Sequence, residues 1–106
     1  MFNIRLGIPE MKEFWDSLKK KVKEKTASKD EVLLYQKLGK AMRLLSVNPR
    51  HTGLRTHDIE ALSKRYEMKV WESYLENNKP AAGRLFWVYA PNQNDITIIG
   101  LEPHPD

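Results

Sequence analysis

The sequence predicts an α+β fold: an N-terminal short strand and a two-helix hairpin packed on an antiparallel sheet of three to four C-terminal strands, in a single domain covering residues 1–106. Three observations carry this. Apolar residues recur at helical spacing before Asn48-Pro49. That dipeptide ends the helical pattern. Beyond it the apolar runs are short, β-branched or aromatic, and separated by turn-forming clusters.

Taken in order, Phe2, Ile4 and Leu6 alternate with Asn3 and Arg5, a short strand ended by Gly7. Pro9 suits a first helical turn, with Glu10 and Glu13 near the positive end of the helix. Met11, Phe14, Trp15, Leu18 and Val22 form one apolar stripe, and Lys19, Lys20, Lys21, Lys23 and Lys25 load the far end with cations. Ser28 and Glu31 have capping-box spacing and start a second helix, whose stripe is Leu34, Leu38, Ala41, Met42 and Leu45. A short polar link between the two predicts an antiparallel helical hairpin. Asn77-Asn78-Lys79-Pro80 and Pro91-Asn92-Gln93-Asn94-Asp95 read as turns. Around them lie strand candidates over 69–75, 84–90 and 95–101, with a weaker one over 58–62. Ile96, Thr97, Ile98 and Ile99 make the last strand apolar on both faces, so it is expected inside the sheet.

The chain has 106 residues, 41% hydrophobic and 30% charged, enough for one core. Without cysteine it has no disulfide framework, thiolate zinc site, iron–sulfur cluster or cysteine nucleophile. No apolar run approaches the roughly 20 residues of a membrane helix, and the start lacks the layout of a signal peptide. A cytoplasmic protein is the expectation. Net charge is +4, unevenly spread: residues 1–57 hold 13 Lys/Arg against 6 Asp/Glu, and residues 58–106 hold 5 against 8. A basic first half suits an anionic partner such as nucleic acid, or it is simply a solvated, Lys-rich helix face.

Several residues can carry chemistry. The segment Asn48-Pro49-Arg50-His51-Thr52-Gly53-Leu54-Arg55-Thr56-His57 concentrates guanidinium, imidazole and hydroxyl groups suited to phosphate; the alternative is a polar connection that meets water. Arg84 opens an apolar strand, where it ends in a salt bridge or serves as a fixed cation for a phosphate whose charge grows in a transition state. His104, held between Pro103 and Pro105, is either a general acid beside the last strand or part of a frayed terminus. On the third strand, alternation puts Glu72 and Tyr74 on one face and Trp71 on the other. Glu72 is a candidate base and Tyr74 a stacking platform, with packing or a cross-strand ion pair as the alternative. The spacing of His51, His57 and His104 matches no zinc pattern, so no metal or small-molecule cofactor is expected.

The element order, the Gly53-Leu54-Arg55 segment after Asn48-Pro49, and the strand Arg84-Leu85-Phe86-Trp87-Val88-Tyr89 resemble the RelE/ParE superfamily of bacterial toxin–antitoxin systems. The resemblance covers nearly the whole chain. It implies a small basic endoribonuclease that cuts messenger RNA, often on the ribosome, by attack of a ribose 2′-hydroxyl on the adjacent phosphate, and that is neutralised by an antitoxin. Carried over by position, Arg84 is the phosphate clamp, His104 the acid/base histidine, Arg55 a further cation and Glu72 a base. Arg50, His51, His57 and Lys69 are then the RNA-binding residues. The alternative on the same fold is a non-catalytic binder: a gyrase-directed toxin, or a degenerate relative that docks a peptide or nucleic acid. The acidic second half favours that alternative.

Overall fold

A computed structural model describes residues 1–76 and 83–102. The elements are β1 (Asn3–Leu6), α1 (Pro9–Lys23), α2 (Lys29–Val47), a 3-10 turn (Thr52–Leu54), β2 (His57–Asp58), α3 (Glu60–Tyr66), β3 (Trp71–Tyr74), β4 (Arg84–Tyr89) and β5 (Asp95–Glu102). The class is α+β.

Local sequence explains most boundaries. Pro9 opens α1, where its missing N–H is no loss. The helix ends in a Schellman-type turn, with Lys25 left-handed at φ 62° and the Thr26 N–H donating to the Lys21 carbonyl at 2.9 Å. A complete capping box starts α2: Ser28 Oγ accepts from the Glu31 N–H at 3.1 Å, and Glu31 accepts from the Ser28 N–H at 2.9 Å. These bonds, with Lys21 beside it, hold the Glu31 carboxyl below its ordinary range. Asn48, extended before Pro49, ends α2. Trp15 of α1 stacks on Tyr35 of α2 at 5.2 Å, so the two helices pack together. The 77–80 turn lies outside the described residues; the 91–95 turn is present, with the Asp95 N–H bonded to the Asn92 carbonyl.

Two expectations are corrected. The sheet has five strands in the order β1-β5-β4-β3-β2 and is mixed rather than antiparallel, because β1 joins β5 in parallel, Asn3 opposite Asp95 through Leu6 opposite Ile98. That contact joins chain segments some 90 residues apart, and no local period encodes it. The weak strand expected over 58–62 is only His57–Asp58, followed by α3. Ser63 fixes that helix: its hydroxyl donates to the Ile59 carbonyl and accepts from the Val70 N–H, both at 2.8 Å. The β5 strand is interior, as its two apolar faces require.

Leu38, Ala41 and Leu45 of α2 pack on Leu85, Trp87, Ile96 and Ile98 of the sheet and form the core. Under them runs a polar chain. The Trp87 indole N–H donates to Ser73 Oγ at 2.9 Å, and Ser73 lies 2.8 Å from Thr56 Oγ1. Thr56 gives its one proton to the Pro49 carbonyl at 2.7 Å, so Ser73 donates to Thr56. This ties the 49–56 segment to the sheet.

The β1–β5 junction makes a pH prediction. Asp95 is buried and accepts from Asn3 Nδ2 at 3.0 Å and Asn92 Nδ2 at 3.1 Å. The bond from Asn3, then those from Asn92, hold its carboxyl below the ordinary range against the opposing effect of burial. A carboxyl more acidic in the folded than the unfolded chain adds stability above the unfolded-chain value, about pH 4, and loses it as pH falls through the lower folded value. In urea titrations the stability gap between wild type and Asp95→Asn should therefore narrow as pH drops below about 4. A gap that stays constant down to acid pH would show that Asp95 is not held this way.

Candidate functional site

On the sheet face opposite α2, four strands bring His57, Glu72, Arg84 and Glu102 together. His57 on β2 lies directly across from Glu72 on β3, and Tyr74 lies across from Arg84 on β4. Arg84 in turn lies across from Glu102 on β5. Cross-strand neighbours on one face sit about 5 Å apart at Cβ, so register alone makes these residues meet. Gly83 precedes Arg84 with φ +128°, a conformation that L side chains rarely adopt, and its carbonyl accepts from the Leu75 N–H at 3.0 Å. That bond fixes where β4 starts.

Glu72 is the centre. Its side chain is only 4% exposed, with one carboxylate oxygen 3.0 Å from His57 Nε2 and the other 3.3 Å from an Arg84 terminal nitrogen. The second terminal nitrogen of Arg84 donates to Glu102, whose side chain is 53% exposed. Burying a carboxylate is costly unless it is paired; here a cation stands on one side and an imidazole on the other. His57 Nδ1 lies 2.9 Å from the Arg55 carbonyl. Both ring nitrogens thus face oxygen atoms. The edge of His57 meets the Tyr74 ring at 5.8 Å.

The expected site residues divide into separate groups. Arg84, Glu72 and His57 converge, so the residue expected to bind RNA, His57, is in contact with the residue expected to act as base. Arg55 contributes its backbone. It is left-handed at φ 52°, its carbonyl holds His57, and the residue itself is exposed. The His51 ring caps the 3-10 turn, with Nδ1 accepting from the Gly53 N–H at 3.0 Å. Arg50 and Lys69 belong elsewhere: Arg50 stacks over Trp71 at 4.5 Å, and Lys69 lies 5.7 Å from the same ring and 3.4 Å from Asp58. Trp71 projects to the face opposite Glu72 and packs on Trp87 at 6.0 Å, and its indole N–H is buried with no partner among the described residues. His104 lies outside the described residues.

The joining of His57 to Glu72 is what sequence reading missed. Its signal was the two-residue strand at His57-Asp58, too short for a periodicity test.

In chemical terms the cluster offers a guanidinium fork with one buried and one exposed partner, beside an imidazole in contact with the buried carboxylate. Among the described residues, no helix is long and apolar enough to cross a membrane. No protein-family model, curated protein or solved structure matches the chain.

Proposed function

We propose that this chain is a RelE-like endoribonuclease acting in the cytoplasm on messenger RNA, with Arg84 as its phosphate-holding group. The observation that supports this reading is the Arg84 fork, anchored by the buried Glu72 on one side and by the exposed Glu102 on the other. An exposed ion pair contributes only about 0–1 kcal/mol, so a phosphate can replace Glu102 at little cost. The terminal nitrogen released by Glu102 would then donate to the scissile phosphate while Glu72 keeps the guanidinium in place. In the cleavage the 2′-oxygen bonds to phosphorus and loses its proton to a base, while the bond from phosphorus to the 5′-oxygen breaks and that oxygen takes a proton from an acid. The His57–Glu72 pair is the base system of this reading, and His104, on the resemblance alone, is the acid. An antitoxin is the neutralising partner.

A second reading is favoured by one feature. Both nitrogens of His57 and both terminal nitrogens of Arg84 already have protein partners. A binder that docks a peptide or nucleic acid on the same fold would look like this. Incubation of messenger RNA with ribosomes and this protein separates the two. Fragments ending in 2′,3′-cyclic phosphate, lost in Arg84→Ala and His104→Ala, are expected. RNA binding without fragments would leave the binder.

A further inference from the structure

The β1 side of the sheet carries a feature of its own. Asn3 and Gly7 point their N–H groups at β5, bonding the Asn94 and Ile98 carbonyls at 2.9 Å. Backbone direction alternates along a strand, so Ile4 and Leu6 point their N–H and C=O groups the other way, where no strand lies among the described residues. A row of this kind is a template for an added strand. The Phe2 N–H is already bonded to the Ser46 carbonyl at 2.7 Å, so the open stretch begins beyond it.

Along this edge runs a groove of about 380 Å³, bounded by Ile4 and Leu6 of β1, Trp15 of α1, and Gly39 and Met42 of α2. Its charged lining residue is Arg43, exposed on α2 and without an ion pair among the described residues. Lys19 stands over the Trp15 ring at 6.0 Å and is likewise unpaired, while Asp16, next to Trp15 in the chain, is taken up by Lys12 at 3.0 Å. On the other face of β1, Arg5 is exposed across from Thr97 and makes no ion pair; the nearby Asp95 is held by Asn3 and Asn92. Unpaired cations thus surround an apolar groove and a free backbone, and among the described residues no Asp or Glu lines that groove.

We infer that the β1 edge receives an extended segment of another protein in which apolar and acidic residues alternate. Laid along Asn3–Leu6, about 13 Å for four residues, the segment would bond the open groups of Ile4 and Leu6. Cross-strand neighbours share a face. Its residues opposite Ile4 and Leu6 would therefore be apolar and fill the groove, and the residue opposite Arg5 would be acidic. Further acidic residues beyond them would meet Arg43 and Lys19 at the rim. A nucleic acid would suit the cations but has no amides to continue the sheet. A second copy of this chain, pairing β1 with β1 about Arg5, would set Arg5 against Arg5, and like charges directly opposite destabilise a strand pair.

The test uses the full-length chain and three fluorescein-labelled peptides of equal length. One alternates Glu and Val, one alternates Lys and Val, and one has the composition of the first rearranged into a block of Glu followed by a block of Val. The alternating acidic peptide should bind saturably and at least about tenfold more tightly than either control. Arg43→Glu, an exposed change, should lower that affinity by about tenfold while leaving the melting temperature near wild type. Should that variant unfold, hydrogen exchange on the wild-type chain still decides: the Ile4 and Leu6 amides should gain protection when the peptide binds, and the Arg5 amide, which faces β5, should not change. Equal affinity for the alternating and blocked acidic peptides would show attraction by charge alone and overturn the inference. So would no binding, full affinity in folded Arg43→Glu, unchanged exchange at Ile4 and Leu6, self-association through β1, or protection of those two amides by single-stranded RNA instead of the peptide. None of these outcomes depends on whether the Arg84 cluster cleaves RNA.

Discussion

Replacing Trp87 by alanine is expected to cost about 3–5 kcal/mol of folding stability, the usual range for deleting a fully buried large aromatic. Trp87 has no exposed surface and stacks on Trp71, while Tyr89 meets it edge-on at 5.0 Å. It also donates to Ser73, and through Ser73 and Thr56 reaches the Pro49 carbonyl. Removing the ring opens a cavity under α2 and takes away the donor at the head of that chain. With a urea m-value of about 1–3 kcal/mol per molar, the unfolding midpoint should fall by roughly 2 M. Trp87→Phe keeps most of the packing and drops only the N–H, so it should cost about 1 kcal/mol. Should Trp87→Ala lose less than about 1 kcal/mol, the core does not pack around this side chain as described.

On the nuclease reading proposed above, Arg84→Ala is expected to lower RNA cleavage by about 100-fold or more, the scale for deleting a group that stabilises charge growing in a transition state. It should also destabilise the fold, because the nearly buried Glu72 carboxylate would keep only His57 as a partner. The cost of an under-satisfied buried polar group is about 1–3 kcal/mol, more for a charged one. The two effects can be separated. Adding Glu72→Gln to Arg84→Ala removes the stranded charge, so the double variant should recover part of the stability and none of the cleavage. Arg84→Lys keeps the charge but cannot span Glu72 and Glu102 with a fork, and should be intermediate in both. Equal cleavage by wild type and Arg84→Ala would remove this cluster from the nuclease reading. Strict additivity of Arg84→Ala and Glu72→Gln in stability would show that the two side chains are not coupled.

The parts of the fold that were legible share one property: the information sits within a few residues. The capping box Ser28/Glu31, the stop at Asn48-Pro49, Pro9 at the start of α1 and the apolar strand at 96–99 are all read from neighbours in the chain. The site was legible in pieces. Alternation alone put Glu72 and Tyr74 on one face and Trp71 on the other, and β3 bears this out, with Glu72 turned to His57 and Arg84 and Trp71 turned to Trp87. The same parity separates Lys69, expected to bind RNA, from Glu72, expected to act as a base.

Local chemistry by itself therefore determined the two long helices, the strand-rich second half and the interior place of β5. A side-chain period reports which face of an element is apolar, and capping and turn residues report where it begins and ends. Strand neighbours are a different matter. The pairing of β1 with β5, the helix α3 held by Ser63 and Val70, and the meeting of His57, Glu72, Arg84 and Glu102 across four strands were decided only in three dimensions. Each depends on which distant segments share a hydrogen-bonded register, and many registers are compatible with the same apolar pattern until the whole core is packed.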